Sequence, residues 1–480
     1  MERDIKYLIS YTNKMNEEKV SLFAERIRDF LTEDEFSLEL AERYCYVKDV
    51  SPIDVSVDTL PDVIVWPKTS EQVSNLVKVA SEMSIPVIPR GAGSGEAGGS
   101  MPVEGGVIID FTFMKNVLTL DEKNLTCLVE PGIVCDDLNF ILKKKGFFLP
   151  PVPASSEMAT IGGCVANNAG GYRTVKYGSF KSWVMELEVV LPDGDIIRTG
   201  AKTRKSSSGY DLTRLYVGSE GTLGVFTKIL LRIHPLPQCI RLVTATFDDI
   251  LDACDMAVEL MSSDILPSAV EIMDRLSIEA VRNFGVELPR CDSILIVELD
   301  GFEVDVEQRI ERVRRIALDH NANEVNVGTS EEEINALWKG RKSITPALVA
   351  IKPNIIDEDI AVPVANVPDL FRRIKKIGED LGIDIATYGH VGDGNLHPDI
   401  LFDKRNPEEI KKAFRAVELL REATLSLDGT ITAEHGIGLR RKKYLEMEYG
   451  EKEVKIMKQI KLALDPKNIM NPKKILDLSE

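Results

Sequence analysis

The sequence has few of the features that mark a membrane protein, a cysteine-rich metal protein or a nucleic-acid-binding protein. No apolar run reaches the length of about 18 residues that suggests a membrane-spanning helix. The seven cysteines are scattered and form no C-x-x-C pair, which argues against a zinc knuckle or an iron–sulfur cluster and favours buried free thiols. Acidic residues exceed basic ones by 77 to 59, and the resulting charge of −18 argues against nucleic acid as a partner.

The first residues also lack the apolar core of a secretory signal peptide. The segment Met1–Tyr7 reads M-E-R-D-I-K-Y and carries charges where such a core would lie, so we expect a cytoplasmic protein. Histidine is scarce as well, because the chain has only five and none of them precedes His234.

The material that is present suits a large folded protein of mixed secondary structure. The chain is 44% hydrophobic and 28% charged, and its 480 residues predict about three domains. An apolar run at 63–66, helical spacing over 69–80 and a second run at 85–88 predict a βαβ unit. Two later strand–helix–strand passes, at 241–273 and 294–327, predict an antiparallel ferredoxin-like sheet. The predicted fold class is therefore α+β.

Changes in composition divide the chain into four predicted parts. Residues 1–58 are rich in Glu, Lys and Arg and predict a helical leader. Three glycine clusters follow and indicate a ligand-binding domain over 59–237. The pattern changes after Pro235-Leu236-Pro237, which indicates a substrate or cap domain over 238–425 and a C-terminal helical segment over 426–480.

The first glycine cluster, P-R-G-A-G-S-G-E-A-G-G at 89–99, follows a predicted strand. It contains a G-x-G-x-x-G pattern, but the residues after Gly99 form a poor helix start, which disfavours a Rossmann fold. Closely spaced glycines let backbone N–H groups approach a phosphate, and a plain flexible loop is equally consistent with these residues. Small residues fill the second cluster, at 153–171, almost throughout, as a bulky flat ligand lying on backbone requires, and a third glycine cluster lies at 209–225.

Three of the histidines lie in settings that suggest chemistry. His390 and His397 flank the turn residues G-D-G-N between two strand-like runs, so a hairpin would return them side by side. Glu434 and His435 are adjacent, and in an extended segment their side chains would point to opposite sides. His390, His397 and Glu434 would then form a metal site with an open position. Hydrogen-bonded histidines without a metal are the alternative interpretation.

Taken together, these motifs resemble a known family. The segments P-R-G-A-G-S-G, T-I-G-G-C-V-A-N-N-A-G-G and G-Y-D-L-T-R-L-Y-V-G-S-E-G-T-L-G are similar to the FAD-binding domain of the vanillyl-alcohol-oxidase (PCMH-type) flavoprotein superfamily. The second half resembles the FAD-linked oxidase C-terminal domain, and the nearest groups are D-lactate dehydrogenase, the glycolate oxidase FAD subunit and D-2-hydroxyglutarate dehydrogenase. The resemblance implies a two-subdomain FAD-binding domain, a ferredoxin-like substrate domain and a C-terminal segment that returns to the flavin.

The resemblance also implies which residues contact FAD. The first cluster is expected to bind the pyrophosphate, and the other two to line the ADP and isoalloxazine portions. The FAD is expected to be non-covalent, since no histidine precedes His234 and a His-linked flavin is thereby excluded in this domain. The implied contacts are Arg90, Gly91, Ala92, Gly93, Ser94, Gly95, Gly98, Gly99, Pro153, Ser155, Thr160, Gly162, Gly163, Ala166, Asn168, Gly170, Gly171, Tyr177, Gly178, Glu220, Gly221, Gly224, Val225 and Asn471.

The family motifs around the histidines imply a metal and a base. In relatives, G-H-x-G-D-G-N-L-H supplies two metal histidines and the E-H of A-E-H-G-I-G supplies an acid ligand and a catalytic base. The implied metal ligands are thus His390, His397 and Glu434, and the implied base is His435. We expect a divalent metal, with zinc ahead of iron or manganese.

The resemblance further implies substrate contacts. A W-x-x-R segment implies that Arg341 clamps the substrate carboxylate, although the residues alone favour a surface helix charge there. Asn395 is a second implied substrate contact. Where 2-hydroxyglutarate enzymes tend to carry a lysine, this chain has acids at 357–359, which favours a short monocarboxylate.

The implied activity is oxidation of a D-2-hydroxy acid to the 2-oxo acid, with D-lactate ahead of glycolate. Without cluster cysteines the chain needs an electron acceptor, such as an electron-transfer flavoprotein, an iron–sulfur subunit, or quinone reached through peripheral membrane association. We also expect a homo-oligomer. The alternatives are a D-2-hydroxyglutarate dehydrogenase, another FAD-linked oxidase of the same fold and a catalytically silent electron-transfer subunit.

Overall fold

The computed structural model describes residues 15–53 and 60–478. The charged segment Met1–Tyr7 and parts of the predicted leader lie outside these residues. The strands of the first half are β1 (Phe36–Ser37), β2 (Val63–Val65), β3 (Val87–Arg90), β4 (Val107–Asp110), β5 (Val117–Asp121), β6 (Thr126–Val129), β7 (Phe147–Phe148), β8 (Val184–Val190), β9 (Ile196–Gly200), β10 (Val225–Arg232) and β11 (His234–Pro235). Its helices are α1 (Glu17–Ile27), α2 (Leu40–Cys45), α3 (Ser70–Glu82), α4 (Cys135–Lys143), α5 (Ile161–Asn167), α6 (Thr174–Tyr177) and α7 (Leu212–Tyr216).

The second half begins with a long strand and ends with helices. Its strands are β12 (Cys239–Phe247), β13 (Ala269–Asp274), β14 (Ser293–Gly301), β15 (Glu324–Gly328), β16 (Asn354–Asp357), β17 (Ile360–Ala361), β18 (Ile385–His390) and β19 (Asn395–Phe402). Its helices are α8 (Ile250–Ser262), α9 (Arg275–Asn283), α10 (Glu303–Asp319), α11 (Glu331–Lys342), α12 (Ile344–Ile351), α13 (Val367–Leu381), α14 (Pro407–Leu425), α15 (Leu445–Tyr449) and α16 (Glu451–Leu464).

The chain folds as two compact units that do not follow the chain order. The first unit contains the described residues up to Ala169, Ser179–Pro235 and the described residues from His435 onward. The second unit contains Gly170–Gly178 and Leu236–Glu434. The C-terminal segment is therefore part of the same unit as the glycine loops.

The first unit contains the predicted βαβ element. Strands β2 and β3 both run parallel to β4, which lies between them, and α3 connects β2 to β3. The helix begins where the sequence predicts it, because the Thr69 hydroxyl accepts a hydrogen bond from the Gln72 N–H at 3.1 Å. Its apolar face, including Val73 and Leu76, is buried in the core of the sheet. A second, antiparallel sheet of the order β5-β6-β10-β8-β9 completes the unit.

The second unit is built on one antiparallel sheet of the order β15-β12-β14-β13-β18-β19-β16. The first four strands and the helices α8 and α10 follow the ferredoxin-like plan that the sequence predicts, and they confirm it. The hairpin β18–β19 and the strand β16 extend this sheet on the β13 side. The buried faces of α8, α10, α13 and α14 form one apolar core with the sheet.

Two further predictions concern cysteines and membrane helices. All seven cysteines are free thiols, and four of them are buried, but Cys45 is exposed, so the prediction of buried thiols is wrong at that position. Within residues 15–53 and 60–478, none of the helices combines the length and the apolar character needed to cross a membrane.

Candidate active site

The hairpin β18–β19 places two histidines side by side, as its turn residues predict. In the strand register His390 lies opposite Asn395, and His397 lies opposite Tyr388. The two histidines are therefore diagonal neighbours, and their ring centroids lie 5.2 Å apart with the rings nearly perpendicular. The turn depends on Gly394, whose φ is +80° and whose added Cβ would overlap the Val362 carbonyl oxygen.

Glu434 completes a set of three ligand groups with these histidines. Its Oε1 atom lies 3.4 Å from His390 Nε2 and 3.5 Å from His397 Nε2. Ligand atoms about 2.1 Å from one metal in a tetrahedron lie about 3.4 Å apart, so both separations fit a shared divalent ion. Two imidazoles and one carboxylate are also the donor set of many catalytic metal sites. The residues therefore fit a metal, and its identity stays a prediction.

Asp359 holds the segment that carries Glu434, a role that the sequence did not reveal. Its fully buried carboxylate accepts hydrogen bonds from the backbone N–H groups of Ala433 at 3.0 Å and Glu434 at 2.9 Å, and from the Thr432 hydroxyl at 2.7 Å. Asp359, His397 and Glu434 also offer ligand atoms that all lie within 4.8 Å of one another. Asp359 thus belongs to the site, whereas the sequence suggested only that the acids at 357–359 exclude a lysine.

Asn395, predicted to contact substrate, forms hydrogen bonds within the protein. Its side-chain amide donates to Asp359 Oδ1 at 2.9 Å and to the Ile360 carbonyl at 3.1 Å. The amide N–H groups are thereby used to connect the hairpin to Asp359. A substrate contact from Asn395 stays a prediction.

Arg341 is buried beside the histidine pair, which shows that the alternative of a surface helix charge is wrong. It lies near the end of α11 with 6% of its surface exposed. Its Nε donates to Glu271 Oε2 at 2.8 Å, and its guanidinium packs 4.5 Å from the Tyr388 ring centroid. Neither terminal nitrogen donates a hydrogen bond among the described residues, so both remain available to clamp a carboxylate.

Glu271 joins Arg341 to the histidine pair, and no sequence motif pointed to it. Its Oε1 lies 2.5 Å from His390 Nδ1, and its side chain is completely buried. Burial alone would raise the pKa of Glu271, but the neighbouring His390 and Arg341 charges outweigh burial and lower that pKa. Burial alone would lower the pKa of His390, whereas the Glu271 and Glu434 carboxylates raise it well above its usual value.

Tyr172 forms an aromatic wall beside these groups. Its ring lies 5.4 Å from the His390 ring, edge to face, and 4.7 Å from the Trp338 ring. Burial raises the pKa of Tyr172 to about 12, so its hydroxyl stays protonated at neutral pH. Sequence analysis missed this residue because it follows a glycine pair that was interpreted as part of a flavin-binding loop.

The 170–178 segment, predicted to contact FAD, belongs to the second unit. A Cβ added to Gly170 would lie 2.8 Å from Glu434 Oε2, so this glycine lets the backbone approach the predicted metal ligand. The Tyr177 hydroxyl donates to Asp300 at 2.5 Å. Flavin contacts from this segment, which also contains Gly171 and Gly178, stay predictions.

His435 begins the part of the chain that returns to the first unit. There its Nδ1 lies 3.3 Å from Glu96 Oε2. The chain bends at residues 433–435, so the premise of an extended segment around Glu434 and His435 was wrong. The assignment of His435 as the catalytic base stays a prediction.

The first glycine loop is shaped by close packing in the first unit. A Cβ on Gly91 would overlap the Thr160 hydroxyl, and Gly93 has a φ of +68° that favours glycine. No helix begins between Gly99 and Gly106, as the sequence predicts and as a Rossmann fold would not allow. Arg90 is already engaged, because its Nη2 donates to the Lys48 carbonyl at 2.9 Å, so its pyrophosphate contact stays a prediction.

The C-terminal segment holds the third glycine cluster against the first. Asn471 Nδ2 donates to the Gly99 carbonyl at 2.8 Å and to the Glu220 carbonyl at 2.7 Å. The Glu220 carboxylate, whose pKa is raised by burial, accepts from the Ile437 and Gly438 N–H groups at 2.8 Å each. Among the described residues, Asn471 Oδ1 and Ser219 Oγ are buried without a hydrogen-bond partner. These unmet polar atoms beside glycine loops fit a large polar ligand such as FAD.

The remaining predicted FAD contacts lie in the same unit. Thr160 caps α5 by accepting from the Gly163 N–H at 3.3 Å, and Gly162 packs on Pro131. Asn168 ends α5 in the left-handed conformation, and its side chain accepts from the Lys181 N–H at 2.8 Å. The others are Ala92, Ser94, Gly95, Gly98, Pro153, Ser155, Ala166, Gly221, Gly224 and Val225.

Two family models match consecutive parts of the chain, and their boundaries differ from those of the two structural units. The model of the FAD binding domain matches residues 61–200, and the model of FAD linked oxidases, C-terminal domain, matches residues 236–475. The chain is 38% identical to glycolate oxidase subunit GlcD of Bacillus subtilis, covering 91% of this chain and 92% of that protein. It is 36% identical to D-lactate dehydrogenase of Archaeoglobus fulgidus, covering 86% of this chain and 91% of that protein.

A solved structure extends the comparison to the fold. p-Cresol methylhydroxylase with bound substrate matches with a TM-score of 0.81 at 20% identity, covering 98% of this chain and 99% of that chain. This likeness confirms the PCMH-type fold class that the motifs predict. Because both family models match and the sequence relatives cover most of their own length, the chain belongs to the family of FAD-linked oxidases and is an FAD-dependent oxidoreductase.

Proposed function

We propose that the protein oxidises a D-2-hydroxy acid to the 2-oxo acid, with D-lactate as the first candidate and glycolate as the second. The main observation in support is that Glu271 contacts both Arg341, whose terminal nitrogens are available as donors, and His390, a member of the His₂Glu set. A 2-hydroxy acid presents a carboxylate and a hydroxyl on adjacent carbons, so it would use both groups at once. The names of the relatives, glycolate oxidase and D-lactate dehydrogenase, refer to two such compounds.

Each group would have a separate task in this reaction. Arg341 would bind the substrate carboxylate through its two terminal nitrogens and so orient the hydroxyl-bearing carbon. His390, His397 and Glu434 would hold a divalent metal, which supplies Lewis acidity that lowers the pKa of the hydroxyl. His435 would accept the hydroxyl proton. FAD, when bound, supplies the acceptor for the hydride that leaves the same carbon.

The charges near the site favour a short substrate with a single carboxylate. Glu358 is paired with Arg421 through two contacts of 2.9 Å, and Asp359 is occupied by backbone and side-chain donors. Residues 357–359 therefore offer no cationic side chain that would bind a second carboxylate of the substrate. D-2-hydroxyglutarate is therefore the alternative substrate and not the first candidate.

Anaerobic flavin bleaching tests the reaction directly. Purified holoprotein mixed with D-lactate should lose its yellow flavin absorption, glycolate should bleach it more slowly, and 2-hydroxyglutarate and sugars should not. L-lactate serves as the matched control for stereochemistry. A protein that retains flavin but is bleached by none of these compounds would support the silent electron-transfer subunit instead.

A variant and a chelator test the assigned groups. We expect His435→Asn to retain FAD and to lose about 10²- to 10⁴-fold in the rate of flavin reduction, the usual contribution of a general base. Chelation should remove the divalent metal and the activity together, and zinc, iron or manganese should restore both to different extents. Near wild-type reduction by His435→Asn would show that another group accepts the proton.

The electrons must then pass to a separate acceptor. The sequence has no C-x-x-C pair, which favours an acceptor outside this chain. We propose an electron-transfer flavoprotein, an iron–sulfur subunit or a quinone. Measuring reoxidation of the substrate-reduced protein by each of these, and by O₂, distinguishes a dehydrogenase from an oxidase.

A further inference from the structure

Glu271 is a completely buried carboxylate whose two oxygens serve two different groups. It lies on β13, and the register that pairs Ile272 with Gly389 brings Glu271 next to His390 on β18. Oε1 lies 2.5 Å from His390 Nδ1, and Oε2 accepts from Arg341 Nε at 2.8 Å. Both partners are themselves buried, so this geometry excludes the solvent competition that weakens exposed ion pairs.

The contact with His390 fixes which ring nitrogen faces the other ligands. When Nδ1–H donates to Glu271, Nε2 of a neutral imidazole presents its lone pair, and Nε2 is the atom that lies 3.4 Å from Glu434 Oε1. A carboxylate behind a histidine in this way orients the ring and increases its basicity as a metal ligand.

The contact with Arg341 has the corresponding effect on the substrate clamp. A guanidinium has five N–H groups in a rigid plane, so fixing Nε also fixes the direction of the two terminal nitrogens. The Tyr388 ring, 4.5 Å from the guanidinium, restricts the plane further. The Arg341 side chain is then held in one rotamer, with its terminal nitrogens already oriented to bind a carboxylate.

We propose that Glu271 is a positioning residue that couples the metal ligand His390 to the carboxylate clamp Arg341. This inference rests on the proposed function. Glu271 would fix the distance between the group that binds the substrate hydroxyl and the group that binds the substrate carboxylate. Glu271 itself contacts neither reacting atom. Its removal should therefore weaken metal binding and substrate binding together, although no ligand is lost.

The test compares Glu271→Gln with Glu188→Gln in the FAD-loaded protein. Glu188 is the matched control, because it is a buried carboxylate on β8 of the first unit that pairs with Lys228 at 3.0 Å and contacts neither Arg341 nor His390. Three properties are to be compared for each variant. They are the zinc and manganese affinity from titration with elemental analysis, KM and kcat for D-lactate at saturating metal, and the melting temperature.

For Glu271→Gln we expect about 10- to 100-fold weaker metal binding and a similar rise in KM that persists at saturating metal. Glu188→Gln should lower the melting temperature but keep wild-type metal affinity and KM. If Glu271→Gln keeps the wild-type metal affinity and KM, or loses only one of them, the coupling is wrong and the proposed function is unaffected. A wild-type protein that takes up no metal and is bleached by no hydroxy acid overturns the proposed function, and the coupling with it.

Discussion

At the scale of single residues, the acidic protein depends on a few cations that are held in unusual surroundings. Arg341 keeps its charge in a buried site because Glu271 faces it, and Arg90 is held by backbone carbonyls beside the first glycine loop. Lys474 is the third case, since it is 3% exposed and donates to the Met101 carbonyl at 2.7 Å. A net charge of −18 makes such local cations the points at which anionic ligands can be bound.

The buried amine of Lys474 makes stability depend on pH. Burial, partly offset by Asp49 and Glu220, lowers the pKa of Lys474 to about 7, whereas the pKa of a lysine in the unfolded chain is about 10.4. Burying the charged amine lowers the free energy of unfolding by its full amount below pH 7. This loss of stability becomes smaller as the pH rises from 7 toward the pKa of the unfolded lysine. We therefore expect Lys474→Met to raise the melting temperature relative to wild type most at pH 6 and least at pH 9.

Lys467 provides the control for that measurement, because it is exposed and lies in the same segment. Lys467→Met should change the melting temperature by a similar small amount at both pH values. If the difference between Lys474→Met and wild type does not vary with pH, Lys474 keeps an ordinary pKa in the folded protein.

At the scale of elements, the β18–β19 hairpin brings together two of the three proposed metal ligands, His390 and His397. Local sequence explains it well, because the turn residues at 392–395 and the two strand-like runs beside them all lie within residues 383–402. The residues that support the hairpin were not predictable in the same way. Glu271 is 119 positions from His390, and Asp359 is 75 positions from Glu434. Only strand pairing and the fold of the 430–434 segment place these carboxylates beside their partners.

The turn of this hairpin offers a sharp test at the element scale. Gly394→Ala introduces a Cβ at φ +80° that would overlap the Val362 carbonyl, so the turn must shift and the two histidines separate. We expect loss of most bound metal and at least about 10-fold slower flavin reduction.

Gly285→Ala is the matched control for backbone strain. Gly285 has a φ of +95°, and a Cβ there would meet nothing within 4 Å. It should cost about 1 kcal/mol of stability and leave metal content unchanged. If the two variants lose metal equally, the shape of the turn is not what holds the histidines.

At the scale of the whole molecule, the two units carry different sets of the predicted site residues. The glycine loops and the C-terminal segment from His435 onward belong to the first unit, and the His₂Glu set with Arg341 belongs to the second. The motifs predicted both centres, but they did not predict that residues 170–178 join the second unit. That segment is tied there by Arg173 and Tyr177, which bond Glu298 and Asp300 across more than 120 positions.

This separation predicts opposite effects of two substitutions. His397→Ala should keep the flavin content of wild type but abolish bleaching by D-lactate and reduce bound metal. Gly93→Val, which adds bulk at φ +68° against the Arg90 guanidinium, should instead lose FAD while keeping metal affinity. Absorbance ratios and elemental analysis on the same preparations check both. Loss of FAD in His397→Ala would show that the two functions are not separable.

The sequence by itself determined the features that depend on near neighbours in the chain. The βαβ element, the ferredoxin-like order of strands, the glycine loops and the histidine hairpin all follow from turn residues and from the spacing of apolar residues. The tertiary structure decided which buried groups stand behind the site residues. Carboxylates such as Glu271 and Asp359 lie on or beside apolar strands, where nothing local sets them apart, and their roles arise only when distant strands pair and bury the charge beside its partner.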